Sequence, residues 1–490
     1  MGNDTDIRNK ILNSPEACEQ AFIEDAKFKP KNGVVIYDLL TDIYSLWNPE
    51  SKNNSFTGRE LYHCVCKTVL RHLKDGSCHT AVICLDNADR VPLEKRREQA
   101  RRDEERVVEG LPDSTEFTDE GAIFYPGGQP HRFDIRMAMN NRSIRPRLFS
   151  YLVNCFKTQL TLPPYQTVII DYETAGAWVM SKGHWGRDKT SMHEYGEADL
   201  SVLYWLNRLW MANRPSNFYV RSTDSDQIPI LLNFLTHRYN QPSDKKQKLY
   251  LRYWRGKNAE RYMDMREVYT YITTKLGWSI SAFVSFCCIC GTDFTDPCVR
   301  HGTEKKPRRL LFPGIKAATV FEACQKFNLP LELENLALNL RSFVYAVRAV
   351  YTHVFTNVKG RVTSCLGIVK ATRQHWAEKL EELQERRGKE RPFRLTELRQ
   401  MPPTPQLMLP TDDQLREIFQ QLRFNLRYWM IDLGQMEVTR PERGVPMVED
   451  MEDTRIAGLM DIPLASFSPP VRKRSLEQKT EAGIKKIKLQ

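Results

Sequence analysis

The sequence predicts an α/β fold built on a mainly parallel sheet flanked by helices, followed by a helical C-terminal half. Three observations predict it. Short β-branched runs alternate with helix-period segments through residues 33–290, the pattern of strand–helix–strand units. Most of those apolar runs end in an acid, and in a parallel sheet the carboxyl ends of the strands are where ligands sit. Beyond Gly291 the strand pattern stops and helical periodicity takes over.

Taken in order, residues 33–40 read as a first strand and Leu61–Leu73 as an amphipathic helix. Residues 80–86 read as a second strand, and Pro92 sits near the first turn of an Arg/Glu-rich helix over 93–109, where its fixed φ and missing N–H cost nothing. Gly110–Pro130 turns acidic and Gly/Pro-containing, an irregular connection, before a basic-to-apolar helix over 143–160. Gln166–Asp171 reads as a third strand, Ala198–Met211 as a helix and Asn217–Arg221 as a strand leading into a turn at Asp224 and Asp226. Lys245–Arg255 interleaves cations with aromatics. It reads as an edge strand protected by lysine, with nucleic-acid contact as the alternative. Helical patterns then cover Ala317–Phe327, Leu331–Phe355, Gln374–Arg387 and Asp413–Ile431, with a linker at Pro402–Pro410 and a polar, disorder-prone stretch over 437–490.

Composition narrows the class. The 490 residues carry 72 Lys and Arg against 61 Asp and Glu, a net +11, and 41% are apolar. That allows one large core plus decoration. Residues 471–490 hold a disproportionate share of the surplus, seven Lys or Arg against two Glu. A basic balance beside local acidic clusters fits a phosphate-rich polymer as partner. No apolar run approaches a membrane span, and Met1–Asp6 is polar, so no secretory leader or membrane partner is expected. The twelve cysteines are scattered, as small core hydrophobes of a reduced protein would be. His301 near Cys287, Cys290 and Cys298 lacks the spacing of a structural zinc site.

The acids carry the chemistry. They end Val34-Val-Ile-Tyr-Asp38 and Ala81-Val-Ile-Cys-Leu-Asp86, and recur in Gly196-Glu197-Ala-Asp199, Ser222-Thr-Asp224-Ser-Asp226 and Cys290-Gly-Thr-Asp293. A carboxylate capping a buried strand costs desolvation unless a cation neutralises it. Hard divalent ions take oxygen ligands, and two of them about 4 Å apart clamp a phosphodiester in hydrolysis. The alternative is local: Asp224 and Asp226 making an Asx-turn, and Asp199 serving as a first-turn helix acid. No Ser/His/Asp arrangement is found.

In order and flanking pattern, these blocks resemble the flap endonuclease/XPG superfamily of structure-specific 5′ nucleases, as a divergent member. Val35-Ile-Tyr-Asp38 resembles the family's first strand, and Val82-Ile-Cys-Leu-Asp86 its second. Gly196-Glu197-Ala-Asp199 resembles its Glu-x-Glu motif with Asp in second place, and Ser222-Thr-Asp224-Ser-Asp226 its Asp-x-Asp motif. Ala282–Asp293 resembles the helix ending in Gly-x-Asp-Tyr, and Met265–Gly277 the preceding pair of short helices. The resemblance implies a PIN-like core over 33–300 with an arch-like insertion at 110–165 and a helical DNA-binding region at 301–435; the chain departs from it in an extra leader at 1–32, and its composition gives a mostly disordered tail at 436–490. The resemblance implies two Mg²⁺ ions, replaceable by Mn²⁺. Asp38, Asp86, Glu197 and Asp199 would hold one, and Asp224, Asp226 and Asp293 the other. The expected activity is hydrolysis of DNA at 5′ ends, flaps or junctions. A 5′–3′ exoribonuclease and a non-catalytic nucleic-acid scaffold are the alternatives.

Cations complete the expectation. The helix after Asp86 carries Lys95, Arg97, Arg101 and Arg102, and the resemblance gives a Lys and an Arg of this helix to the scissile phosphate. Arg97 and Arg101 are the chosen catalytic pair, although interleaved acids would equally make a solvated helix of i,i+4 pairs. Lys305, Lys306, Arg308 and Arg309 are expected to touch the polymer. The segment 172–193 has no obvious counterpart in the family. Lys473-Arg474, ten residues, then Lys485-Lys486 matches a bipartite nuclear-import pattern, so nuclear localisation is expected.

Overall fold

A continuous nine-stranded sheet organises the chain in the computed structural model, which describes residues 21–24, 32–46, 54–87, 110–173, 175–189, 196–212, 217–238, 247–254, 260–290, 292, 418–422, 425 and 429. All of these fall within one unit, residues 1–297 with 418–447. The sheet strands are β1 (Phe22–Glu24), β2 (Gly33–Asp38), β3 (Cys78–Cys84), β4 (Thr167–Asp171), β5 (Ala177–Ser181), β6 (His184–Asp188), β7 (Asn217–Arg221), β8 (Leu249–Trp254) and β9 (Glu260–Asp264). Their order is β1-β9-β8-β7-β2-β3-β4-β5-β6. The inner five, β8 through β4, run parallel. The outer strands on both sides pair antiparallel. This is the mainly parallel, helix-flanked α/β sheet that the strand–helix alternation predicts.

The strands at the centre are apolar because both faces are covered. Every residue of β2 is buried, as parallel strands between helical layers require. On one face Val35, Tyr37, Ala81, Ile83, Val168, Ile170 and Tyr219 join a single core with helices α2 (Gly58–Lys74) and α4 (Arg145–Gln159). Helix α2 starts at a capping box between Thr57 and Glu60 and buries Leu61, Tyr62, Val65, Val69 and Leu73, one stripe at helical spacing. On the other face, Trp210 of α5 (Ala198–Met211) stacks on Phe218 of β7 with ring centroids 4.9 Å apart. Phe234 of α6 (Gln227–Arg238) meets the same indole edge-on. Helix α5 is buried nearly all round, wedged between sheet and neighbouring helix.

Shorter helices finish the unit: α1 (Leu39–Ser45), α3 (Ile135–Asn140), α7 (Met265–Thr270), continued by a wide turn at Tyr271–Lys275, and α8 (Ile280–Ile289). Gly33 is required where β2 passes β7, since a Cβ there would lie 2.3 Å from the Tyr219 ring. Cys287, Cys288 and Cys290 are buried at the end of α8, where they act as small hydrophobes. Helical residues 418–422, 425 and 429 return to this helix, Asn425 donating to Cys288 Sγ at 3.3 Å and Thr292 Oγ1 at 3.0 Å.

Several sequence expectations need correction or completion. Lys245–Arg255 is not an edge strand, because β8 bonds to β7 on one side and β9 on the other. Arg252 points into the core, where it meets a carboxylate, so its charge neither protects an edge nor faces solvent. Residues 22–24, expected in a leader, form an outer strand. Helix α4, inside the segment expected as an arch, buries Leu148, Phe149, Leu152 and Phe156 against the sheet core. Within the unassigned 172–193 segment, β5 and β6 form a hairpin extending the sheet, with the Trp178 ring held between Lys157 Nζ at 3.8 Å and Arg187 at 4.3 Å. Among the described residues no helix is long and apolar enough to cross a membrane.

Candidate functional site

The acids collect where the parallel strands end. Asp38 closes β2 and pairs in register with Cys84, which pairs with Asp171 at the end of β4. Asp86 lies just past β3, and Ser222 to Asp226 form the turn from β7 into α6. Glu197 and Asp199 stand at the start of α5. Tertiary structure thus brings together residues 184 positions apart, as the hydrogen bond from Ser222 Oγ to Asp38 Oδ2 shows at 2.9 Å.

Asp38 is the centre of the arrangement. It occupies the N-cap position of α1, yet its carboxylate makes no cap bond to the helix backbone. Two hydroxyls donate instead to the same oxygen, Oδ2: Ser222 at 2.9 Å and Thr41 at 2.7 Å. Oδ1 is buried and, among the described residues, has no hydrogen-bond partner. Burial, reinforced by the charge of Asp86 and more weakly by Asp224, pushes the Asp38 carboxyl up to about 7 despite the two hydroxyl bonds. A carboxylate in that setting is costly unless a cation joins it.

The flanking acids are held by identifiable contacts. Asp86 Oδ1 accepts the Ala198 amide at 2.9 Å, placing the carboxylate at the positive end of α5. Its loop is fixed on both sides, by Leu85 N–H to Asp171 O at 3.2 Å and Asn87 N–H to Gly196 O at 2.9 Å. Asp199 Oδ1 accepts from Gln227 Nε2 at 2.6 Å, joining the two helices of that face. The Asp224 and Asp226 pair does form an Asx-turn, with Asp226 N–H donating to Asp224 Oδ1 at 3.1 Å. Asp224 N–H donates in turn to Ser222 Oγ at 3.1 Å, so one serine links Asp38 to this loop. Glu197 is buried at the N-cap of α5. The Cys84 thiol, pushed well up by burial, is pushed further by Asp171, Asp38 and Asp199, which places those three carboxylates around the end of β3.

Asp86 and Asp224 are therefore the acids that act on Asp38, with Asp171 and Asp199 beside it at the end of β3. Among the described residues no three His, Cys, Asp or Glu side chains enclose an ion by themselves. Mg²⁺ does not need such a cage, since it keeps several waters and takes one or two carboxylates. The bare Asp38 Oδ1, with Asp86 and Asp224 near it, fits that requirement. Asp293, Lys95, Arg97, Arg101, Arg102, Lys305, Lys306, Arg308, Arg309 and the basic pairs Lys473, Arg474, Lys485 and Lys486 lie outside the described residues.

Sequence reasoning missed several participants. Asp171 ends an apolar run just as Asp38 does, and its Oδ2 accepts from Trp205 Nε1 at 2.7 Å; the strand-end signal alone would have found it. Ser222, Thr41 and Gln227 carry no such signal, because their roles depend on which elements meet.

No protein-family model matches the chain, and no curated protein matches it. Among solved structures, the catalytic core of Rad2 in complex with DNA substrate is similar in two forms. Complex II has 14% sequence identity, covering 68% of this chain and 72% of that one at a TM-score of 0.30. Complex III has 15% identity, covering 63% and 66% at a TM-score of 0.31. Likeness at that distance leaves the chemistry of this site to its own geometry.

Proposed function

We propose that the chain is a Mg²⁺-dependent phosphodiesterase that hydrolyses DNA at 5′ ends, flaps or junctions. The observation that supports it is the buried Oδ1 of Asp38, without a hydrogen-bond partner among the described residues, set at the carboxyl ends of parallel strands and repelled by Asp86 and Asp224. A divalent cation there offsets both the burial and the repulsion. Asp38 and Asp86 would hold one ion together with waters, Glu197 and Asp199 flank it, Asp224, Asp226 and Asp293 are assigned to a second, and Mn²⁺ can substitute for both. Bound Mg²⁺ supplies an acidified water and neutralises charge on the scissile phosphate.

The chain's own groups orient and anchor. Ser222 and Thr41 hold Oδ2, so Asp38 presents Oδ1 in one direction. The amide of Ala198 fixes Asp86. The net charge of +11 draws a polyanion to the acidic mouth, with Arg97 and Arg101 assigned to the phosphate. The choice of DNA rests on the resemblance of the motif succession. The same reading assigns Lys473, Arg474, Lys485 and Lys486 to nuclear import.

The test incubates the purified chain with a 5′-flap DNA duplex and with 5′-monophosphorylated RNA, each with Mg²⁺ and with EDTA. Cleavage of the DNA that EDTA abolishes is expected. Trimming of the RNA without DNA cleavage overturns the substrate; absence of both, together with absence of Mn²⁺ binding, overturns the metal chemistry.

A further inference from the structure

A second charged cluster lies one helical turn from Asp38. Asp42 Oδ1, on α1, accepts from Arg221 at 3.1 Å and also from Arg252. All three residues are buried, at 4%, 4% and 2% exposure. Arg221 donates further to Tyr262 Oη at 2.8 Å and lies 5.6 Å from the Tyr37 ring centroid. Two guanidiniums and one carboxylate have thus been taken out of water together. Such a cluster is expensive, and apolar residues of similar volume would usually serve stability as well.

Its position suggests what it is for. Arg221 is the last residue of β7 and Ser222 the next, while Asp38 is the last residue of β2 and Asp42 lies in the first turn that follows. Two ties therefore join the same two segments: Ser222 to Asp38 and Arg221 to Asp42. The first alone is one rotatable hydroxyl. The second is a planar guanidinium fork with one arm on Asp42 Oδ1 and the other on Tyr262 Oη, and β8 adds Arg252 to the same carboxylate oxygen. Together they fix the position of β7's end against α1, and with it the direction in which Asp38 presents Oδ1.

We propose that Arg221, Asp42 and Arg252 are positioning residues for the Asp38 metal ligand, an inference that rests on the metal reading above. They do not touch the ion; they hold the serine that holds the carboxylate. Ser222 is one shell out from the ligand, where a lost partner typically changes metal affinity by about 10- to 100-fold; Arg221, Asp42 and Arg252 act through it, so the lower end of that range is expected. Arg221→Lys keeps the charge and loses the fork, so it reads geometry rather than neutralisation.

The test measures Mn²⁺ binding to metal-free, full-length protein by electron paramagnetic resonance, with folding checked by circular dichroism. Wild type binds Mn²⁺. Folded Arg221→Lys binds about tenfold more weakly, and the Mg²⁺ concentration for half-maximal cleavage rises in step, while turnover at saturating Mg²⁺ recovers most of the wild-type rate. Arg252→Met, on a different strand from the site acids, shifts affinity in the same direction by less. Wild-type affinity in both folded variants overturns the proposal. Where Arg221→Lys does not fold, Arg252→Met decides alone: unchanged affinity overturns the proposal, and weakened affinity supports it. Absence of Mn²⁺ binding in the wild type is a different result, read before any variant is compared, and it removes the metal reading itself.

Discussion

Asp38 and Asp42 stand four residues apart at the junction of β2 and α1, both almost wholly buried at 6% and 4% exposure. Asp42 is gripped by two arginines. Asp38 faces acids instead, and two hydroxyls satisfy one of its oxygens. The guanidiniums of Arg221 on β7 and Arg252 on β8, both buried, go to Asp42. Arg221 belongs to the face of the sheet that carries Tyr219 and Tyr37, and its partners Tyr262 and Asp42 keep it there. The difference teaches that burial does not distinguish a structural acid from a functional one; the compensation it receives does. A charge neutralised by the protein maintains the fold, and a charge left raw is available to something the protein binds.

The comparison can be broken in order of expected effect. Asp38→Asn, Asp86→Ala and Asp224→Ala each abolish Mg²⁺-dependent cleavage while DNA binding persists or tightens, because each removes a ligand and a negative charge facing phosphates. Substantial single-turnover cleavage by these variants at saturating Mg²⁺ would sink the assignment. Asp42→Asn acts on stability instead. It leaves buried guanidiniums without their counter-charge and should cost about 3–5 kcal/mol, measured by denaturant unfolding. Asp38→Asn in metal-free protein should cost nothing or stabilise. If the two variants destabilise alike, the contrast between compensated and raw charge is mistaken.

pH sharpens the same point. The folded Asp38 carboxyl titrates near 7 rather than its ordinary 3.8, chiefly through burial and then through Asp86. Its folded-state pKa is raised, so the folded chain binds the proton more tightly than the unfolded chain. The resulting stability is fully present below about 4 and is lost as pH rises through about 7. The Tm of metal-free protein should therefore fall between pH 5 and pH 8 through this group, and Asp38→Asn should flatten that part of the curve. Mg²⁺ should raise Tm most at the alkaline end, where the carboxylate is ionised. A Mg²⁺ effect on Tm that is independent of pH argues against Asp38 as the ligand.

Smaller effects follow from the periphery. Ser222→Ala removes one of two donors to Asp38 Oδ2 and the acceptor for the Asp224 amide. It should weaken Mn²⁺ affinity by about tenfold without unfolding the chain; an unchanged titration would show that Thr41 alone suffices. Replacing Lys485 and Lys486 together with Ala should disturb nuclear accumulation and leave turnover on a 5′-flap substrate unchanged. A loss of turnover would move those lysines from targeting to substrate binding.

The acids at strand ends were legible because a carboxylate closing an apolar run violates the burial rule in plain view. Asp38, Asp86 and Asp224 came from that signal, while the three central strands and the bounds of α5 and β7 came from the apolar runs and helical period themselves. Asp171 carried the same signal, but its bond to Trp205 shows that a strand-end acid can serve an indole as readily as a site. Lys245–Arg255 misled for a related reason. Its cations suggested solvent, whereas Arg252 is buried because Asp42, more than two hundred residues earlier, reaches the same place.

By itself the sequence determined the local periods, and through them the alternation of strand and helix and the placing of acids at the ends of strands. Those depend on neighbours a few residues away, which the chain states directly. Tertiary structure alone decided the strand order, which oxygen of Asp38 was left bare, and which of two buried aspartates received the arginines. These depend on contacts between segments far apart in the chain, and the low dielectric of the interior makes each such pairing decide whether a charge is part of the scaffold or open to an ion.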